Sequence, residues 1–386
     1  MKKAIIEKIK EGNRIIKGRG LPKGCILCLK GQKTVLFLSG TCQNPVNCYW
    51  YCPLSKERKG KEETFANEIK ISSKKELLEE INKTEAKGMS ITGGEPLSDK
   101  NLEKTLDYIR FVKTKKGNRF HVHLYTNSIS FNKSIAERLA LTGLDEIRFH
   151  PSRENLQKIK FALNLGLDIG AEVPVIPNNE KIEDIKKLIV FLDDIGADFI
   201  NLNEFEYCFP NSSSLKNRGY QLKKGSIASV VKSKEVAINL LRDLSTQVSI
   251  KMHFCPIHSK DYYQLKMRYL RRAKNIKLPY EVITEEGLLV YGQVEGNLED
   301  LNRFKEKITS KLKIKENTLS FTENNIKLPY YYIIDNQIIS LYESYQLKGY
   351  VIEMIPFRKK KYQQITEKTP TKLFKKEFGF DENRRR

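Results

Sequence analysis

No apolar run in this chain approaches the roughly 20 residues that a membrane-spanning helix requires. The opening stretch MKKAIIEKIKEGN has only three consecutive apolar residues, too few for the hydrophobic region of a signal peptide. It reads instead as an amphipathic helix, and a cytoplasmic location with no membrane partner is expected. Cysteine is scarce and odd in number, seven in 386 residues, and the seven are grouped. That pattern argues against the disulfide framework of a small secreted protein and for ligation or catalysis. Acidic residues are outnumbered, 47 against 69 Lys and Arg, leaving a formal charge of +22. Such a field attracts polyanions, with nucleic acid the commonest. A lysine-rich surface is the plainer reading of the same numbers.

The basic residues gather near the C-terminus. Between residues 356 and 386 lie Arg358, Lys359, Lys360, Lys361, Lys368, Lys372, Lys375, Lys376, Arg384, Arg385 and Arg386. Only Glu367, Glu377, Asp381 and Glu382 oppose them, and Phe357, Tyr362, Phe374, Phe378 and Phe380 are interleaved. Basic groups alternating with aromatic rings suit a single-stranded nucleic acid. The alternative is a partly helical tail whose rings pack on their own domain.

Strand and helix signals alternate from residue 34 onward. Strands are expected at 35–38, 89–92, 121–125, 146–150, 168–174 and 199–203, and helices at 74–87, 102–116, 133–142, 155–165 and 182–195. Gly88, Gly143, Gly166 and Gly196 fall where helix C-caps belong. Six such repeats with short turns indicate a parallel sheet. A further strand is expected at 248–254 and a basic helix at 261–277. Beyond it the pattern becomes antiparallel, with strands at 280–284, 288–294, 330–334, 338–342 and 350–355 and hairpin turns at 284–287 and 335–336. The expected organisation is a segment 1–33, loop-like from Gly18 to Gly31 and bearing Cys25 and Cys28, an α/β domain 34–277 and a basic α+β domain 278–386.

The most informative residues follow the strands. Cys42, Cys48 and Cys52 occupy eleven residues after the first strand, in GTCQNPVNCYWYCPLS. Gly93, Gly94 and Glu95 follow the second, Asn127 the third and His150 the fourth. Glu172 lies in the fifth, and Asn201, Asn203, Glu204 and Glu206 mark the end of the sixth. The carboxyl ends of parallel strands are where α/β active sites lie. Three thiolates on one loop can hold three irons of a four-iron cluster and leave one iron open; zinc ligation or chance burial of thiols are the other readings. Cys25 and Cys28 form a C-x2-C, and with Cys208 and Cys255 would make a second site, an iron–sulfur cluster or zinc, if all four converge. Cys208 and Cys255 could equally be small core residues. His121 and His123 share one strand face by the two-residue period and read as lumen contacts or as structural histidines. Asn201, Asn203, Glu204 and Glu206 suggest a lined cavity that contacts substrate.

The cysteine loop followed by Ser90-Ile91-Thr92-Gly93-Gly94-Glu95-Pro96-Leu97 resembles radical SAM enzymes. The stretches GCILCLKGQKTVLFLSG, CPLSKERKG, FANE, FHVHLYT, GLDEIRFHP, EVPVIP and FINLNEFE resemble, more closely, an archaeal group of radical SAM proteins related to pyruvate formate-lyase activating enzymes. The resemblance covers roughly residues 20–290. It implies a partial (β/α)6 barrel with a 4Fe–4S cluster on Cys42, Cys48 and Cys52 and S-adenosylmethionine (SAM) on the open iron. Gly93 and Gly94 would then admit the methionine moiety and Glu95 would accept from its ammonium. Tyr51 would contact the adenine through its backbone, and Asn127 and Glu172 the ribose or methionine part. The implied chemistry is a 5′-deoxyadenosyl radical that abstracts hydrogen, with a separate electron donor. The spacing here is C-x5-C-x3-C where the superfamily usually has C-x3-C-x2-C, which bears on the Tyr51 contact. Charge favours RNA, tRNA or rRNA, as substrate. The alternatives are an activating enzyme that forms a radical on a partner protein, and a metal-stabilised RNA-binding protein without catalysis.

Overall fold

A computed structural model describes residues 5–44 and 46–380. Of the residues singled out in the sequence, Lys2, Lys3, Asp381, Glu382, Arg384, Arg385 and Arg386 lie outside that range. The chain divides into two compact units, Met1–Leu265 and Lys266–Arg386.

The first unit opens with β1 (Ile6–Lys8), β2 (Arg14–Ile16), α1 (Lys23–Leu29), β3 (Lys33–Phe37), β4 (Thr64–Ala66), β5 (Ile69–Ile71), α2 (Lys74–Lys83), β6 (Gly88–Thr92) and α3 (Leu102–Lys116). It continues with β7 (His121–Thr126), α4 (Lys133–Thr142), β8 (Glu146–Phe149), β9 (Asp168–Val175), α5 (Asn179–Asp194), β10 (Phe199–Glu204), α6 (Ser212–Asn217), α7 (Ser233–Leu244) and β11 (Lys251–Cys255). Its sheet has the order β1-β2-β11-β10-β9-β8-β7-β6-β3-β4-β5. From β3 to β11 every pairing is parallel, and the two edges are finished by antiparallel strands. The result is a mixed α/β fold.

Alternation along these strands separates two faces. Leu36, Ile91, Leu124, Ile147, Leu202 and Phe254 are fully buried and form the apolar face, each contributing about 1.5–3 kcal/mol. The opposite face presents Lys33, His121, His123, Glu146, Arg148, Asn201 and His253, which are also buried. Asn132 and Asn178 cap α4 and α5 through their side chains, and Gly143 ends α4 in the left-handed conformation that glycine adopts without strain. Gly88 is not a cap. It lies within β6, and a Cβ there would meet the His121 carbonyl at 2.6 Å.

Three local expectations fail for physical reasons. Among the described residues, Ile6–Lys8 and Arg14–Ile16 form the β1–β2 hairpin and not a helix; Glu11 and Gly12 in the loop between them both take positive φ, which interrupts a helix. The stretch from Gly18 to Gly31 contains α1, which Pro22 opens as N-cap and Gly31, at φ 61°, follows. Where the pattern predicts a helix at 155–165, the structure has a 3-10 helix over Arg153–Ala162.

The second unit contains α8 (Gln264–Ile276), β12 (Val282–Ile283), β13 (Leu289–Glu295), α9 (Leu298–Ser310), β14 (Ser320–Thr322), β15 (Asn325–Leu328), α10 (Tyr330–Ile333), α11 (Asn336–Ser344), β16 (Lys348–Met354), β17 (Ile365–Pro370) and α12 (Thr371–Glu377). Its antiparallel sheet runs β14-β15-β13-β16-β17, with β12 on β13. Residues 330–334 and 338–342 are helical, not strands. Pro329 opens α10, Asp335 caps α11 and is therefore no hairpin turn, and Ile338, Ile339 and Tyr342 reach the core at helical spacing. The basic tail is built into this unit: β17 pairs with β16, Phe374 packs on the core, and Phe374 stacks with Phe378 and Phe380.

Gly170 in β9 lies under Phe199 of β10, where a Cβ would meet ring atoms and the Phe199 carbonyl at 2.5 Å. Gly170→Ala should lower unfolding free energy by about 1–3 kcal/mol, read as a fall in the denaturant midpoint.

Candidate active site

The cysteine loop leaves β3 at the carboxyl edge of the sheet. Ser39 and Thr41 accept from the amides of Gly94 and Glu95 at 2.7 and 2.8 Å. Gly93 has φ 141°, and a Cβ on Gly94 would collide with the Thr41 backbone. The two glycines therefore let the β3 and β6 loops lie against each other. Cys42 is exposed, whereas Cys48 and Cys52 are half-buried. Cys48 and Cys52 share one tight turn, with the Cys52 amide on the Cys48 carbonyl at 2.9 Å. Their sulfurs share one hydrogen bond, which lowers the Cys52 thiol and raises the Cys48 thiol.

Glu95 is 2% exposed and binds protein donors. Thr126 Oγ1 and the Leu97 amide donate to Oε1 at 2.8 and 3.0 Å, and the Asn127 amide donates to Oε2 at 2.8 Å. Burial nevertheless pushes its carboxyl up to about 6. Glu95 thus ties the β6 loop to the end of β7. The Asn127 side chain accepts from the Ile129 amide at 3.0 Å. Tyr51 Oη lies 2.8 Å from His150 Nε2, with the rings stacked, and the Tyr51 carbonyl accepts from Asn211 at 2.9 Å. Its aromatic surroundings are Trp50 and Phe205.

Deeper on the polar face, Arg148 bridges two carboxylates, 2.5 Å from Glu146 and 2.5 Å from Glu172. Its guanidinium lies over the Phe199 and Tyr125 rings. Asn201 Nδ2 and Asn203 Nδ2 donate to Glu172 at 3.0 and 2.9 Å. Toward the amino ends of the strands, the Lys33 ammonium contacts Nδ1 of both His121 and His123, at 3.0 and 2.7 Å. Donor atoms of His121, His123 and Glu146 lie within 4.8 Å of one another, the reach of a metal site. The Lys33 ammonium occupies the Nδ1 side of both rings, while His123 Nε2 is buried without a hydrogen-bond partner among the described residues. Burial lowers the His121 and His123 pKa and pushes Lys33 down to about 8.

Asn13, Cys25, Cys28, Arg148, Glu172, Asn201, Asn203, His253, Cys255 and Lys260 line one cavity of about 80 Å³. Of the polar residues expected at the end of the sixth strand, Asn201 and Asn203 face it. Glu204 points away and accepts from the Ile257 amide at 3.0 Å, and Glu206 lies beside Cys208. Three of the four remaining cysteines meet at the cavity, while Cys208 is outside its lining. Arg148, Tyr125, Lys33 and His253 are prominent here and were given no role from the sequence. Their alternation with apolar neighbours on adjacent strands was the available signal.

A family model described as a 4Fe–4S single cluster domain matches residues 30–145. A Methanocaldococcus jannaschii protein provisionally named glycyl-radical enzyme activating enzyme MJ0021 is 39% identical over 299 residues, 74% of this chain and 77% of its own length. The chain belongs to the radical SAM iron–sulfur enzymes, in the same family as that protein. Its cofactors are accordingly a 4Fe–4S cluster and SAM. Among solved structures it is similar to Streptococcus suis SuiB bound to precursor peptide SuiA, at 14% identity and TM-score 0.43, covering 66% of this chain and 53% of that one. It is also similar to methylornithine synthase (PylB), at 12% identity and TM-score 0.37, covering 57% and 70%. The chain thus spans about half the length of SuiB. No helix among the described residues is long and apolar enough to cross a membrane.

The donor set fits the cluster. Within residues 30–145 the chain has three cysteines, Cys42, Cys48 and Cys52, and no other.

Glu146 is held below the ordinary carboxylate value by Arg148, His121 and Lys33, against the cost of burial. A depressed folded pKa adds stability above the unfolded value near 4.5 that is lost as pH falls. Between pH 7 and 3.5, wild type should therefore lose more unfolding free energy than Glu146→Gln, and the variant should be weaker by about 3–5 kcal/mol at pH 7. Parallel pH profiles would refute this.

Proposed function

We propose that Cys42, Cys48 and Cys52 hold the cluster and that the enzyme forms a radical on a partner protein, as an activating enzyme. The supporting observation is the relative named for that activity, matched over 77% of its length. A cluster with SAM on its open iron supplies a strongly reducing centre and a carbon-centred radical capable of hydrogen abstraction. The residues around it bind and orient. Cys42, exposed beside the half-buried pair, leaves the loop open to a cofactor at the strand ends. Gly93 and Gly94 bring the β6 backbone against that loop, and Glu95 fixes Asn127 near it. Tyr51, braced by His150, walls the same side. In this reading the parallel strands form a partial barrel with the second unit as a basic α+β domain.

Modification of RNA is the second reading, favoured by the charge of +22. The tail gives it less support than its composition suggests. Arg358 is paired with Glu281, Lys368 with Glu295, Lys372 with Glu343, and Lys375 donates to Asn336.

Under anaerobic reducing conditions the protein should cleave SAM to 5′-deoxyadenosine, and Cys48→Ala should lower that rate at least ~100-fold while circular dichroism is unchanged, because the loop adds little core. Nuclease-treated protein extract should stimulate cleavage and protein-free RNA should not; stimulation by RNA alone would transfer the assignment to RNA. Lys360, Lys361 and Lys376 are exposed, so replacing all three with Glu tests the tail without deleting β17. The slope of log affinity for bulk tRNA against log salt should stay unchanged, whereas a slope flattened by about 2–3 would mark a phosphate contact surface.

A further inference from the structure

Four cysteines lie outside the matched cluster domain, and three of them converge. Cys25 and Cys28 are three residues apart on α1 and so share a helix face. Cys255 ends β11, opposite Asn203 in register. All three line the cavity described above. α1 reaches it because residue 24 is glycine. A Cβ there would meet His123 Nδ1 at 2.5 Å and Glu146 Oε1 at 2.7 Å, and the Gly24 amide donates to Glu146 at 3.0 Å.

We propose that Cys25, Cys28 and Cys255 hold a second iron–sulfur cluster. Cysteine buried only for packing sits among apolar neighbours. Here Asn201 Nδ2 donates to Cys25 Sγ at 3.2 Å and Arg148 Nη2 approaches it at 3.5 Å. Donors aimed at a sulfur stabilise a metal-bound thiolate and tune the metal it binds. Asn201 cannot turn its oxygen to the sulfur without facing Glu172 with its own carbonyl, since Nδ2 also donates there. The Lys260 side chain adds a cation to the same wall. All three thiols border a polar cavity and do not interdigitate with an apolar core. Three protein thiolates leave one corner of a four-iron cluster for a ligand from the cavity, where Asn203 offers polar contact. Cys208 is not part of the set, since it lies beside Glu206 and its amide donates to Asn211.

The test is metal content of the full chain, independent of activity. Cys42→Ala/Cys48→Ala/Cys52→Ala, reconstituted anaerobically with iron and sulfide, should keep about four irons and four sulfides per chain, with a reducible paramagnetic signal. A folded triple variant without iron, or one holding zinc in its place, would overturn the proposal. The reciprocal variant Cys25→Ser/Cys28→Ser/Cys255→Ser covers the case in which the first does not fold. It should fall from about eight irons to about four and still cleave SAM; unchanged iron would be equally fatal. Loss of SAM cleavage alone would bear on the first cluster and not on this one.

Discussion

The fold is organised around one buried cation. Arg148, fully enclosed, is shared between Glu146 and Glu172. Through Glu146 it fixes the amino end of α1 and the histidines of β7. Through Glu172 it fixes Asn201 and Asn203 on β10. One guanidinium therefore ties α1 to four neighbouring strands. Removing either carboxylate would leave the buried guanidinium with one carboxylate partner in place of two, and breaking a buried ionic network in this way is destabilising. An apolar filling of equal volume would stabilise the sheet at least as well. That a hydrogen-bonded ionic network stands there instead is explained by the cavity it lines, because polar walls bind and orient what enters.

The parallel strands and the helices between them were legible because both periods are strong in this sequence. α3 and α4 begin and end where their patterns say, and the strand ends carry the cysteine, glycine and asparagine loops. Failures came where tertiary context overrode local pattern. The opening stretch to Asn13 reads as a helix, yet the Glu11-Gly12 turn sends Arg14–Ile16 into the sheet between β1 and β11. The run from Tyr330 to Tyr342 is rich in β-branched and aromatic residues, but Pro329 and Asp335 set helix starts. The buried ionic network was not legible. Its members are single polar residues on five strands, and only the register brings them together. The convergence of Cys25 and Cys28 with Cys255 depends on that same register and on Gly24, whose need for close approach no motif announces.

Net charge shows how composition misleads about partners. A charge of +22 implies a positive field at long range, screened within roughly 10 Å at ordinary salt. Docking depends on local geometry, and locally many tail cations already face carboxylates of their own unit. The rings that suggested base stacking lie against one another, Phe374 against Phe378 with centroids 4.5 Å apart. What remains is a diffuse field that can accelerate encounter with any acidic macromolecule, an acidic protein surface included. Charge therefore ranks the two readings less sharply than the relative does.

The two thiol sets differ in a way that follows from their positions. Cys42, Cys48 and Cys52 sit on a loop beyond the strand ends, with Cys42 in solvent, so under the proposed assignment a ligand completing a cluster there would be exchangeable. Cys25 and Cys28 on α1 and Cys255 at the end of β11 line a cavity on the sheet's polar face beside Arg148. The Gly24 amide on Glu146 joins that helix to the ionic network. Under the two proposals one cluster would lie at the strand ends and the other on the polar face behind it, so the surroundings of each would suit a different chemical role.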